Sequence, residues 1–259
     1  MNGRVVCVPT DEGRAELNPD LVKEIAPTGA LRVSINLGNP VLASRADIHG
    51  EPRGVSVDLA RALAGRLGVA LETVVFDSAG KSVDAIAKGE ADVGFFALDP
   101  ARAAQLRFAP PYVLIQGAYM VREASPLRSI DDVDQAGLRV VVGAGSAYDL
   151  FLTRELKHAS VERAPTSPTV VDEFLRTNAD VAAGVRQQLE ADGLRFPGLR
   201  MLPGDFMTIQ QAIGVPAGRS DAVVAVVHEF VEDMKADGFV ARSLKRNGIV
   251  GARVAPPVA

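Results

Sequence analysis

Leu31-Arg-Val-Ser-Ile-Asn36 and Asp92-Val-Gly-Phe-Phe-Ala97 bracket the part of the chain that decides the fold. Both are apolar runs of strand length, too short for a core helix. Between them Leu59, Leu63 and Leu67 recur at helical spacing along Val57 to Leu67, and Gly68 gives the stop signal. Leu71 to Phe76 reads as a second strand, and Val83 to Lys88 as a short helix ended by Gly89. The order is therefore β-α-β-α-β. Parallel neighbours need a crossover to bring the chain back to the same end of the sheet, so this order implies a parallel sheet with helices over its faces.

Working outward, Asn18 and Pro19 are a cap and first-turn pair for a short helix to Ile25. A second alternation begins at Leu138. Its elements are the strand Arg139-Val-Val-Val142, a turn Gly143-Ala-Gly145, a helix from Ala147 to Lys157, a strand over 161–164, a helix from Val170 to Arg176 and the strand Asp180-Val-Ala-Ala183. Two helices over Asp221 to Asp237 and Phe239 to Asn247 close the chain, with Gly238 and Gly248 as C-terminal punctuation.

Two extended stretches, Tyr112 to Val121 and Thr208 to Val215, flank the second alternation. That is the pattern of a chain that crosses from one lobe to another and back. The expected division is an N-terminal extension over 1–30, one lobe over 31–113 plus 212–259, and a second over 114–211. A length of 259 residues is enough for two cores.

Hydrophobic residues make up 47% and charged residues 23%, a globular balance. The net charge of -4, with Lys and Arg scattered, lacks the basic footprint that nucleic-acid binding needs, so no nucleic-acid partner is expected. Cys7 stands alone, and His49, His158 and His228 have no metal-ligand spacing, so neither a metal nor a cofactor is expected. No apolar run reaches the about 18–20 residues that cross a bilayer, and a soluble protein is expected. The opening Met-Asn-Gly-Arg-Val-Val-Cys-Val-Pro is shorter in apolar length than a secretory leader of about 7–15 residues.

The segment Asp99-Pro-Ala-Arg102-Ala-Ala-Gln-Leu-Arg-Phe108-Ala-Pro-Pro-Tyr112 resembles the T-x-x-R-x-x-x-x-x-F-S-x-P-Y signature of the family 3, amino-acid-type, periplasmic solute-binding proteins. Gly54-Val-Ser-Val-Asp58-Leu-Ala, Gly89-Glu-Ala-Asp92, Val142-Gly-Ala-Gly145-Ser-Ala-Tyr-Asp149-Leu-Phe and Lys235-Ala-Asp-Gly238-Phe extend the likeness from 31 to about 250. The resemblance implies an α/β type II periplasmic-binding-protein fold: two lobes, parallel or mixed sheets, and a double-strand hinge. It also implies a Venus-flytrap function as the ligand-capturing component of an ABC importer in the periplasm, with a permease as partner and a monomeric state. A cytoplasmic location stays open on the leader.

The same resemblance makes Arg102 the anchor for an anionic group of the ligand. Its position just beyond the strand that ends at Ala97 agrees, because ligands of open α/β sheets collect at strand ends and a guanidinium can grip a carboxylate with two parallel hydrogen bonds. Ser146 and Ala147 open a helix at the Gly145 turn, which is a ready anion site or else an ordinary cap. Ala97 offers backbone contacts. Asn36, Asn39 and Lys81 are weaker polar candidates in the loops around the first lobe, and Phe95 is a core or stacking residue. Where the family places an aspartate for a ligand ammonium, this chain has Val185. Arg186 follows it and, if strand alternation continues, faces the cleft. The expected ligand is thus a small organic anion, a carboxylate, with an amino-acid-like one left open but a standard α-amino acid put in doubt by Val185.

The competing function is a dehydratase of the cyclohexadienyl type on the same fold. That chemistry needs a positioned acid in the cleft. No Asp or Glu falls at a matched ligand position of the second lobe, so binding without catalysis is expected.

Overall fold

Asn18 caps the first helix through a hydrogen bond from Asp20 N–H, as the sequence predicts, and α1 runs Pro19–Ile25. The structure is a computed structural model, and it describes residues 17–47 and 49–258. Cys7 and the rest of the opening stretch lie outside the described residues. The first alternation forms β1 (Ala30–Asn36), α2 (Val55–Leu67), β2 (Ala70–Phe76), α3 (Ala79–Ala87) and β3 (Val93–Ala97). β1 lies between β2 and β3 and is parallel to both. All five residues of β3 are buried, which is why it reads as an unbroken apolar run.

α2 starts two residues before the predicted Val57. The reason is Gly54, whose φ of 129° and close approach to Leu42 turn the chain into the helix; a Cβ there would stand 2.3 Å from the Leu42 carbonyl oxygen. α3 likewise starts earlier than predicted, at Ala79 behind Ser78.

The remaining elements are β4 (Leu106–Arg122), β5 (Arg139–Gly143), α4 (Ala147–Glu155), β6 (Ser160–Ala164), α5 (Val170–Arg176), β7 (Val181–Val185), α6 (Arg186–Arg195), β8 (Leu199–Met201), β9 (Met207–Pro216), α7 (Asp221–Ala236), α8 (Phe239–Arg246) and β10 (Arg253–Val254). α6 has no counterpart in the sequence reading. Its Leu189 and Asp192 are buried while most of its other residues are polar, so it gives little periodic signal.

The strands lie in the order β2-β1-β3-β9-β4-β7-β5-β6, with β8 and β10 also on β4. Two parallel groups, β2-β1-β3 and β7-β5-β6, therefore flank the antiparallel β9–β4 pair. These two long strands contain the predicted extended stretches, and their ladder joins both groups. β4 carries a register shift between Phe108 and Val113, at Pro110 and Pro111, which have no N–H to donate.

Apolar burial holds each side together. Leu59 and Leu63 of α2 and Phe230 and Val231 of α7 pack with β1 in one cluster that also runs along β4. Met120, Val141, Phe174 and Leu189 form a second cluster beneath β7 and β5. A fully buried leucine contributes about 1.5–3 kcal/mol relative to exposure. No helix among the described residues is long and apolar enough to cross a membrane.

Candidate functional site

β3 ends at Ala97, and the chain turns at Asp99, with Arg102 N–H donating to the Asp99 carbonyl at 3.0 Å. This turn sends the Arg102 side chain back under the strand end. Its Nη1 donates to the Ala97 carbonyl at 3.1 Å and its Nη2 to the Gly145 carbonyl at 3.0 Å. The guanidinium is 5% exposed and forms no ion pair among the described residues. Burial pushes its pKa down to about 10, since the charged form loses hydration that two carbonyls only partly replace.

Gly145 belongs to the turn after β5, so the Arg102 contact spans the two strand groups. The approach there is tight: Gly145 has φ of 68°, and a Cβ on it would lie 3.2 Å from the Cα of Gly80 at the start of α3. Beneath this contact is a cavity of about 40 Å³. That is room for a few water-sized groups, since about 10–15 Å³ holds one.

Arg102, Ala97, Phe95, Asn36, Asn39, Ser146 and Ala147 all line this cavity, which brings together seven of the nine residues named from the sequence. Lys81 and Arg186 are elsewhere. Lys81 pairs with Asp77 at 2.8 Å on the exposed face of α3 and lines a wider outer depression of about 450 Å³ with Leu37, Phe76 and Thr166. Arg186 does not continue the alternation of β7, because the strand ends at Val185 and Arg186 opens α6. Its guanidinium instead holds Asp205 and the Gly204 carbonyl.

The turn at Gly145 differs in part from an open anion cradle. Gly145 N–H donates to Asp149 Oδ2 at 2.9 Å, and Ser146 N–H donates to the Gly143 carbonyl at 3.0 Å. Ser146 Oγ caps α4 by accepting from Asp149 N–H at 3.0 Å. The same hydroxyl also hydrogen-bonds the Tyr148 side chain, so it is engaged on both sides. Ala147 and Tyr148 begin α4, where N–H groups have no partner within the helix.

The lining also holds Gln211, Ser56, Tyr148 and Ser167, none of which was named from the sequence as ligand-contacting. Gln211 of β9 is 4% exposed and lines the cavity. Its trace is the pair Gln210-Gln211 inside an otherwise apolar crossing strand. Ser56 Oγ lies 3.2 Å from the Tyr112 hydroxyl, and burial raises the Tyr112 pKa. Phe95 packs edge-on against Tyr112 at 5.8 Å between ring centres, and Phe96 also faces the cavity. Val185 is 7% exposed and closes the wall at the end of β7. Asn39 Oδ1 is buried with no donor, whereas Asn36 Oδ1 accepts from Gly38 N–H at 2.8 Å.

Chemically, the lining has one charged side chain, Arg102, and several neutral donors and acceptors. It contains no Asp, Glu, Lys or His. Such a wall can hold one negative group and match neutral polar atoms, and it offers no carboxylic acid for proton transfer.

Residues 31–248 match the family model of bacterial extracellular solute-binding proteins, family 3. Among curated proteins, the chain is 32% identical over 235 residues to the membrane-bound lytic murein transglycosylase F of Idiomarina loihiensis, covering 87% of this chain and 50% of that protein. The chain thus spans about half the length of that relative. Among solved structures, it resembles a mutant of ArgBP from T. maritima, with a TM-score of 0.73 and 22% identity over 87% of this chain and 98% of the other. It also resembles the solute receptor for L-cysteine of Neisseria gonorrhoeae, with a TM-score of 0.74 and 21% identity over 87% and 92% of the two chains. The ancestral amino-acid-binding protein AncCDT-1, a precursor of cyclohexadienyl dehydratase, gives a TM-score of 0.72 and 20% identity over 87% and 97%.

Proposed function

Because the chain belongs to the bacterial extracellular solute-binding proteins of family 3, we propose that it captures a small organic anion in the cavity beneath Arg102 and presents it to an ABC-type permease from the periplasm. The observation that carries this reading is the state of Arg102: a residue 5% exposed, with no carboxylate in contact with its guanidinium and the sole charged side chain on the cavity wall among the described residues. Burying an unpaired charge costs stability, and a ligand carboxylate offsets that cost with charge-assisted hydrogen bonds. Residues 31–113 with 212–259 and residues 114–211 are the two lobes that close over it.

The wall favours a carboxylate with a neighbouring neutral donor over a standard α-amino acid. Val185 gives an ammonium no negative partner, while Asn39 Oδ1 and the Gln211 amide can serve a hydroxyl or an amide. Catalysis of the dehydratase kind has no support in this wall, since the acid it requires is missing among the lining residues.

A thermal-shift screen of organic acids and amino acids tests the reading, because a ligand bound only to the folded state raises stability with concentration. Simple carboxylates should raise Tm, and Arg102→Met should abolish the rise. Stronger stabilisation by α-amino acids than by the matching acids would overturn the ligand class, and turnover of prephenate would overturn the non-enzymatic reading.

A second reading rests on the 235-residue match to a protein twice as long in coverage terms. In it, the same closing module sits beside another domain that reads ligand closure in place of a permease. Crosslinking in cells distinguishes them: recovery of permease subunits supports import, and recovery of cell-wall enzymes without permease supports the second.

A further inference from the structure

Asp99 occupies the first position of the signature segment, where the pattern has threonine, three residues before Arg102. The backbone bond from Arg102 N–H to the Asp99 carbonyl makes a single turn, and side chains at that spacing are neighbours. An acid so placed is the natural counter-ion of Arg102. Its charge is felt by Arg102 through space and works against the lowering by burial, but no hydrogen bond or ion-pair contact joins the two side chains among the described residues. Its carboxylate accepts from Arg154 Nη1 at 3.2 Å and Nη2 at 2.9 Å, and from Ala101 N–H at 2.8 Å.

Two further facts give this pairing direction. The Asp99 side chain is 4% exposed while Arg154 is 41% exposed, so the acid is fixed in the cleft and the arginine reaches in from the rim. Arg154 belongs to α4, on the β5 side, whereas Asp99 leaves β3, so their pairing requires the two strand groups to be together. The Arg102 contact to Gly145 has the same requirement.

We propose that Arg154 is a positioning residue that holds Asp99 off Arg102, in the free protein as in the bound one, which leaves the Arg102 charge for the incoming carboxylate. Without Arg154, Asp99 turns to Arg102 as its counter-ion and competes with the ligand. The inference rests on Arg102 being the anion anchor, and it explains how a buried arginine beside an acid can still be free for a ligand.

The test needs no ligand. Tm is measured for Arg102→Met in three backgrounds: the unaltered chain, Arg154→Met, and Arg154→Met with Asp99→Asn. Removal of an unpaired buried charge should raise Tm by about 2–4 °C in the first and third. In Arg154→Met alone, Asp99 turns to Arg102, so Arg102→Met should lower Tm by a similar amount. The same shift in the first two backgrounds overturns the proposal. Arg154→Gln repeats the measurement if Arg154→Met does not fold. Titration with sodium acetate and with sodium succinate separates the two ideas: anion stabilisation that survives Arg102→Met sinks the reading of the site, and a missing sign change with that stabilisation lost sinks only the role of Arg154.

Discussion

Arg102 Nη2 donates to the Gly145 carbonyl at 3.0 Å, so a side chain leaving the end of β3 is held by the turn leaving the end of β5. Among the described residues the same guanidinium is the only charged group on the cavity wall. Under the proposed function binding and closure share one side chain, and changes at either end of this contact should affect both.

Replacing Arg102 by Met should raise the stability of the ligand-free protein by an amount on the order of 1 kcal/mol, because an unpaired buried charge is exchanged for an apolar chain of similar reach. It should also cancel carboxylate-induced stabilisation. Urea unfolding with and without sodium acetate and sodium succinate checks both; a stable variant that still responds to these anions contradicts it.

Gly145→Ala should cost about 1–2 kcal/mol from its left-handed backbone alone. The added methyl also meets Gly80 across the closed cleft. Affinity for a stabilising carboxylate should fall more than Tm does, and solution scattering should show a more open average shape. A loss of stability with unchanged affinity would mean that the Gly80 contact is not needed for closure.

Val185→Asp adds a carboxylate to the cavity wall that carries Arg102. Stabilisation by simple carboxylates should drop at least about tenfold in apparent affinity, since like charges now meet and Arg102 gains an internal partner. α-Amino acids should lose less. Calorimetric titration with paired acids and amino acids reads the change, and equal losses for both classes contradict the assignment of this wall.

Asp134 accepts from the N–H groups of Ala159, Lys157 and His158 at 2.8–3.0 Å, and these bonds hold its pKa down from 3.8 to about 2. A carboxylate with a lowered folded pKa stabilises above its unfolded value and loses that contribution as pH falls through the folded one. The loss should therefore lie between about pH 4 and pH 2. Carbon-13 NMR titration of the Asp134 carboxyl should give a midpoint near 2, and Asp134→Asn should flatten the stability profile in that window.

Leu63 is fully buried between α2 and β1. Leu63→Ala should cost about 2–5 kcal/mol, set by how far the neighbours relax. Denaturant unfolding measures it; a cost below about 1 kcal/mol would mean the cluster collapses freely around the gap.

Both β-α-β alternations, the two crossing strands and the place of Arg102 were legible from the sequence because each leaves a local trace: apolar runs, glycine stops, and a strand end followed by an arginine. What stayed hidden depends on distance in sequence. Arg186 was aimed wrongly because nothing in Val185-Arg-Gln-Gln marks where β7 stops and α6 begins. Gln211 was passed over because its importance comes from β9 lying beside β3, more than a hundred residues away. The grip of Arg154 on Asp99 joins residues 55 apart and could not be inferred from either segment.

The prolines of β4 have a mechanical meaning. A pair of strands anchored at both ends behaves as a beam, and Pro110 and Pro111 remove rungs from one short span of it. Bending energy concentrates where a beam is softest. The β4–β9 pair accordingly has a span with fewer rungs than the rest of its length, and any bending of the pair meets least resistance there.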